Sequence, residues 1–419
     1  MDLKNSSNRI GAALSGKREN QQKRNIWVQC LLLYILGIIV LLSGCGAGEP
    51  HTADIMMLEV EEFAPQESET AEDTDISVEM LEDAVVGSEQ PMGKIPPYTI
   101  VYTGDVCLQS GVENTYRAYG VEGIIGEALL QDLTGADYTV INHEFCFSTG
   151  GTKQDKTYTF RADPQNVTLL NEMGVDLASL ANNHALDYGT EALSDTFRTL
   201  DGASIDYMGA GETVERAAEM ITVETNGYTL GFLAASRVYP TVQWNVLNRQ
   251  PGMLPAYDPD YLAQIVEEKA AQCDYLMVYL HWGVERAERP EEYERSLAQL
   301  LIDCGADAII GSHPHVLQGT EFYKGKPIFY SLGNFVFNAS ISRTAFLCAT
   351  IDLDAAIVDG AEDLSDYVTW QMIPCRATEY CTEKMTEREN VESFYDYMQS
   401  ISYNVSYDRD TGMVVKTGN

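Results

Sequence analysis

Residues 311–318 read GSHPHVLQ and follow a short apolar run, Ala306 to Ile310, that has the composition of a buried strand. His313 and His315 are two of only six histidines in 419 residues. In an extended chain, side chains two apart point the same way, so these imidazoles would be offered to one place with Pro314 stiffening the link between them. Two uses fit: chelation of a metal ion, or capping of a strand by ring-to-backbone hydrogen bonds.

Four other apolar runs end in the same manner. TIVYTGD closes on Asp105, ADYTVINHE on Asn142, His143 and Glu144, VDLASLANNH on Asn182, Asn183 and His184, and CDYLMVYLHWG on His281. Five of the six histidines therefore stand at strand ends. In α/β folds ligands gather at the carboxyl ends of strands, so residues far apart in sequence would converge on one edge. Carboxylate, amide oxygen and imidazole together suit a hard or borderline divalent ion, which favours chelation over capping for GSHPH. Within NHE, Asn142 and Glu144 share one side of an extended strand and His143 points away.

Helix-like segments at Gly123–Leu133, Pro164–Met173, Thr190–Leu200, Pro259–Gln272 and Glu291–Cys304 separate the runs. That alternation predicts an α/β fold. A hairpin at Asn226-Gly227 and strands near Pro327–Tyr330 and Ala345–Leu353 add mixed or antiparallel pairing. The expectation is two packed mixed β-sheets flanked by helices over residues 98–355. Residues 356–419 read as a strand-poor extension with a helical stretch near Val391–Ser400.

The N-terminal part has a different character. Lys17, Arg18, Lys23 and Arg24 precede an apolar stretch from Ile26 to Leu42, then Leu42-Ser43-Gly44-Cys45. Residues 1–44 read as a lipoprotein signal with Cys45 as the lipidated residue, or else as one uncleaved membrane span. Either keeps the remainder outside the cytoplasmic membrane, on the extracellular face. Residues 45–97 form an acidic tether: from Glu49 to Pro97 there are fourteen acidic residues and one lysine. From Tyr98 onward 47 acidic and 20 basic residues leave a net charge of −27, which argues against a nucleic-acid partner. Seven cysteines follow Cys45 without a repeating spacing. No disulfide framework is implied.

GDVCL, NHEF, FRADP, SLANNHALDYG, HWGVE, GSHPHVLQG and YSLGNFVF together resemble the bacterial capsule-synthesis protein A family, associated with poly-γ-glutamate capsule, over about Tyr98 to Phe337. ANNHALDYG, HPHVLQ and SLGNF in that order carry the resemblance. The family in turn resembles calcineurin-like metallophosphoesterases. That resemblance implies a metallophosphatase-like sandwich of two sheets with a two-metal site, metal Mn, Zn, Fe or Mg. Asp105, Asn183, His281, His313 and His315 are then ligands and His184 is the acid beside the leaving group. The sequence departs from the pattern twice. Cys107 stands where a histidine is usual, as a thiolate ligand or a buried thiol. Glu144 is the nearest candidate for the bridging aspartate.

Asp187 either orients His184 or caps the following helix. Asn142, Arg161, Glu285 and Asn334 are candidate substrate contacts, with Arg161 clamping an anion or forming a surface ion pair and Glu285 meeting substrate or backbone. Arg237, Arg286 and Arg289 are weighed as Arg161 is, Trp282 is a possible pocket wall, and a polyanion would need bound cations or an arginine patch to approach so acidic a surface. Two functions of different class follow. One is a surface-anchored, metal-dependent hydrolase or phosphoesterase-type enzyme acting on an envelope polymer or phosphoester. The other is a non-catalytic accessory subunit that binds polymer or the membrane subunits of a capsule-polymer synthase.

Overall fold

The computed structural model describes residues 94–418. The expected signal peptide, the lipidated Cys45 and the acidic stretch up to residue 93 lie outside the described residues. Among the described residues, no helix is long and apolar enough to cross a membrane.

Strands are numbered along the chain. In the first sheet β1 (Tyr98–Val106), β2 (Tyr138–His143), β5 (Leu177–Ser179) and β6 (Asp206–Met208) run parallel. On the other side of β1, antiparallel pairing adds β16 (Ile341–Ile351), β17 (Val368–Thr378) and β18 (Cys381–Lys384). The short β15 (Asn334–Val336) pairs with the end of β1. The second sheet has the order β13 (Thr320–Tyr323), β14 (Lys326–Phe329), β12 (Ala308–Ser312), β11 (Tyr275–His281), β9 (Tyr228–Ser236), β8 (Ile221–Thr225). Its four inner strands are parallel and its two edges antiparallel. Three two-stranded ribbons complete the fold: β3 (Cys146–Phe147) with β4 (Arg161–Ala162), β7 (Ala210–Gly211) with β10 (Gly252–Met253), and β19 (Val405–Tyr407) with β20 (Val414–Lys416).

The period-two pattern of the strands decides the layering. Ile100 and Tyr102 of β1 pack against Met277 and Tyr279 of β11, while Val101 packs outward against helices. Tyr279 donates from its hydroxyl to the Thr103 carbonyl at 2.9 Å, tying the sheets across the core. Leu233, Leu276, Val278 and Ile309 cover the outer face of the second sheet with the helices Pro259–Ala270 and Glu292–Asp303. Each fully buried Leu, Ile or Phe contributes roughly 1.5–3 kcal/mol. Asp258 caps the first of these helices, accepting from the Asp260 and Tyr261 amides ahead of Pro259. The Asn226-Gly227 hairpin forms as read, with φ of 48° and 87° at the two turn residues.

The C-terminal expectation needs correcting. The helix at Arg388–Ile401 is present, but residues 356–418 are not strand-poor. They supply β17, β18, β19 and β20, and Trp370 and Met372 join the central core. Three of these are only three or four residues long; for β17 the reason is Pro374, since a proline inside an apolar run argues against a strand. Here it lies in the register of β17 opposite Ala345.

Candidate metal centre

The carboxyl ends of β1, β2, β5, β11 and β12 meet at one edge, where both sheets contribute. The end of β1 abuts the loop before β15 so closely that a Cβ at Gly104 would sit 1.9 Å from the Gly333 carbonyl oxygen. Glycine is required for that approach. The next residue, Asp105, donates its amide to the same oxygen at 2.9 Å, which fixes its carboxylate at the edge.

Glu144, His313 and His315 each offer one ligand atom, and these atoms all lie within 4.8 Å of one another. His315 Nδ1 is 3.2 Å from Asp105 Oδ2 and 3.9 Å from Glu144 Oε2. His281 Nε2 is 2.9 Å from Asn183 Oδ1 and 3.5 Å from Glu144 Oε1. The rings of His281 and His313 are 4.8 Å apart, and those of His313 and His315 5.7 Å. Convergence of the last pair does not come from an extended chain. His313 and His315 have φ of 99° and 60°, so a left-handed turn around Pro314 aims both rings inward. Backbone of this kind costs a non-glycine residue of order 1–3 kcal/mol and persists where its surroundings hold it.

Asp105, Glu144 and His281 are fully buried. Asp105 Oδ2, both Glu144 oxygens and His313 Nδ1 have no hydrogen-bond partner. Burial, and then the charge of Asp105, push the Glu144 carboxyl well above the usual range. Burial works against a charged His315, but Glu144 and Asp105 outweigh it and raise the ring to about 10. Burial, then His315, lowers His313 to about 3, and burial, then His313 and His315, takes His281 well below its ordinary value. Two buried carboxylates facing one cationic ring, His315, with His281 and His313 neutral beside it, are costly by themselves. One ligand atom each from Glu144, His313 and His315 lies close enough to share a divalent cation, with Asp105 beside His315, so this donor set fits one.

Beside the cluster, His184 Nδ1 is 2.6 Å from Asp187 Oδ2, and the ring stacks on Phe160 with centroids 4.1 Å apart. Lys156 donates to Asp187 Oδ1 at 2.7 Å and to the Asn183 carbonyl at 2.6 Å. Its Nζ lies 3.3 Å from His184 Nδ1. Burial lowers His184 despite Asp187, which favours the neutral ring.

Residues 99–339 match the family model described as bacterial capsule synthesis protein PGA_cap. The chain belongs to this family. It is 32% identical over 246 residues to the PGA biosynthesis protein CapA of Bacillus subtilis, covering 58% of this chain and 64% of that one. It is 33% identical over 257 residues to the capsule biosynthesis protein CapA of Bacillus anthracis, covering 59% and 61%. The chain thus spans less than two thirds of the length of either relative. Among solved structures, a 5'-nucleotidase from Candida albicans aligns over 66% of this chain and 51% of its own at 11% identity, with a TM-score of 0.38.

Several expected contacts sit differently in this PGA_cap-family chain. Asn142 is fully buried, and its amide donates to Asp105 Oδ1 at 2.8 Å while its own oxygen accepts from Asn182 at 3.2 Å. These bonds orient the Asp105 carboxylate. Asn334 Oδ1 is 2.8 Å from His315 Nδ1, so it positions that ring. Trp282 does not wall the pocket: it follows His281 in the strand direction, points to the opposite face, and donates to the Tyr330 carbonyl within the helix-packed core. Glu285 is exposed beyond β11, with no hydrogen bond or ion pair drawing it to the cluster. Arg161 is exposed and stacks 4.0 Å over the Tyr188 ring. Cys107 is a buried thiol, pushed well up by burial and then by Glu144. His143 turns away as expected and stacks on Phe145. Two residues were not expected. Lys156 lies in a polar loop with no pattern to mark it. Ser312, 3.0 Å from His281 Nδ1, lies immediately before the HPH motif.

Proposed function

We propose that this protein is a metal-dependent hydrolase of phosphoesterase type that acts in capsule or envelope-polymer biosynthesis, on an anionic polymer or a phosphoester. Anchorage outside the cytoplasmic membrane through a lipid on Cys45 is part of the proposal, on the strength of the LSGC sequence. The capsule context rests on the family and on the printed names of the Bacillus relatives. The observation that carries the enzymatic reading is the set of buried, unpartnered ligand atoms on Asp105, Glu144 and His313 at a common edge.

Asp105, Glu144, Asn183, His281, His313 and His315 would hold the ion or ions, of Mn, Zn, Fe or Mg. Bound there, a divalent cation polarises a phosphoryl or carbonyl oxygen and makes water acidic enough to supply hydroxide near neutral pH. The chain's own residues move the proton. With Nδ1 committed to Asp187, His184 works through Nε2. Its neutral resting form would take up at Nε2 the proton that the water gives up on supplying hydroxide, and deliver it to the departing oxygen or nitrogen, so that one water is consumed. Asp187 stabilises the imidazolium formed in between, and Lys156 holds Asp187 in place. Phe160, stacked on the ring, restricts water and fixes its plane.

Substitution separates binding from chemistry. Ala at His281, His313 or His315 is expected to lower metal content and melting temperature together. His184→Ala should keep the metal, losing only stability for the buried ring it removes, while turnover of a phosphodiester or a γ-glutamyl oligomer falls by about 10²–10⁴. If the parent, metal-loaded, turns over neither class and His184→Ala leaves polymer output in cells unchanged, the accessory-subunit reading replaces the enzymatic one. The cysteine at 107, where a histidine ligand is usual, is what favours that second reading.

A further inference from the structure

In a protein with a formal net charge of −36, a basic side chain without an acidic neighbour is conspicuous. Most arginines and lysines of the helices and edge strands are paired, as Arg295 with Glu321, Arg376 with Glu383 and Lys384 with Asp132. Arg161, Arg237 and Arg343 form no ion pair with any carboxylate of the described residues. Each is instead stacked on tyrosine: Arg161 4.0 Å over Tyr188, Arg237 4.9 Å and 4.2 Å over Tyr257 and Tyr293, and Arg343 4.1 Å over Tyr397.

Each is linked through a neighbouring residue to the candidate metal centre. Arg161 follows Phe160, the ring stacked on His184. Arg237 donates its amide to the His281 carbonyl at 2.8 Å. Tyr397, under Arg343, lies 3.4 Å from the Leu317 carbonyl, two residues beyond His315. Three acids lie nearby without forming an ion pair with these arginines: Glu113 accepts from Asn166, Glu294 accepts from the Glu291 amide through one oxygen and feels Arg237 only at longer range, and Glu288 lies beside Tyr397. Arg161 uses one amino group on the Gly150 carbonyl, and Arg237 uses one on the carbonyls of Ala256 and Tyr257. The remaining donors are free of protein partners. Beside Arg161, Lys153 helps to line a surface cavity of about 370 Å³ that also contains Phe160 and Tyr188.

A guanidinium held flat against an aromatic ring loses little freedom when it takes up an anion, and its fork matches carboxylate and phosphate. We infer that Arg161, Arg237 and Arg343 form an anion-binding rim around the site, which receives a linear chain carrying anionic groups at regular intervals. The rim offsets the repulsion that the acidic surface imposes on such a chain. It serves the proposed enzyme and the accessory subunit alike, and does not depend on a metal being bound.

The test is equilibrium binding of three probes to the full chain: a γ-linked glutamate decamer, a polyphosphate of ten units, and a neutral γ-linked glutamine decamer. Both anions, or one of them, should bind, with affinity falling as salt rises. The neutral chain should not. Each single Arg→Gln change should weaken binding about threefold, and the triple change about thirtyfold. The triple change at the paired residues Arg376, Arg388 and Arg409 should do nothing. Which anion binds more tightly distinguishes a carboxylate polymer from a phosphate polymer. If the rim triple variant misfolds, the single variants carry the same comparison. The inference is overturned if the neutral decamer binds equally well, or if folded rim variants bind the anions as tightly as the parent. Measurement with chelator present keeps this result separate from any failure of the metal-dependent reading.

Discussion

Replacing Glu144 by Gln should make the metal-free protein more stable and nearly blind to metal. Both Glu144 oxygens are buried without a hydrogen-bond partner, and Asp105 is a second fully buried carboxylate beside them. The group is held well above the usual carboxyl range, first by burial and then by Asp105. A raised carboxyl pKa means that the folded state binds the proton more tightly than the unfolded one. Metal-free stability therefore falls as pH rises above the unfolded value of about 4.3. Gln keeps the shape and removes that loss, while Asp105 and Asn334 remain as the nearer partners of the His315 ring. An unsatisfied buried group costs about 1–3 kcal/mol. With about 2.1 cal/mol/K per residue over the 325 described residues, the melting temperature at pH 8 should rise by roughly 2–4 °C in chelator. Metal at 100 times its Kd stabilises the parent by about 2.7 kcal/mol, or ~4 °C. A 100-fold weaker variant keeps less than ~1 °C of that rise. Scanning calorimetry with and without Mn²⁺ or Zn²⁺ reads both effects. A lower metal-free melting temperature with the metal-induced rise intact would refute the reasoning and make Glu144 an ordinary structural acceptor.

Two further outcomes are expected. Lys156→Met strands one oxygen of the buried Asp187 and should cost on the order of 3 kcal/mol. It also unties the Asn183 carbonyl and should weaken metal binding about 10–100-fold in chelator competition, with Lys156→Met/Asp187→Asn recovering part of the stability loss. Glu294 is buried at the start of the helix Glu292–Asp303 and raised to about 7, chiefly by burial. Its contribution to stability should fall as pH rises from about 4.5 to 7, so Glu294→Gln should match the parent at pH 4 and exceed it by about 1–3 kcal/mol at pH 8. A pH series of thermal melts checks the sign.

The edge that gathers the ligand atoms was legible because strands announce themselves by apolar runs, and the polar residue closing each run has one place to go. That logic located Asp105, Glu144, Asn183, His281, His313 and His315 without any knowledge of pairing. It said less about orientation. Asn142 and Asn334 stand at the same edge but hydrogen-bond Asp105 and His315, a relation set by which atoms lie within 3 Å. The HPH turn was read as extended because left-handed backbone at two histidines has no sequence signature. Lys156 reaches the site from a loop whose course depends on tertiary packing. Of the four C-terminal strands that were missed, β17 carries Pro374 inside its apolar run and is present through its pairing with β16 along its length, while β18, β19 and β20 are three- or four-residue strands too short to show a pattern.

Metal stoichiometry is the most direct measurement. The full chain, dialysed against Mn²⁺ or Zn²⁺ and then against metal-free buffer, is analysed by plasma mass spectrometry beside a variant with Glu144, His313 and His315 replaced by Gln, Ala and Ala. The account predicts at least one tightly held ion per parent chain and less than about a tenth of that in the variant. Equal metal in the two, or none in a folded parent, would contradict it.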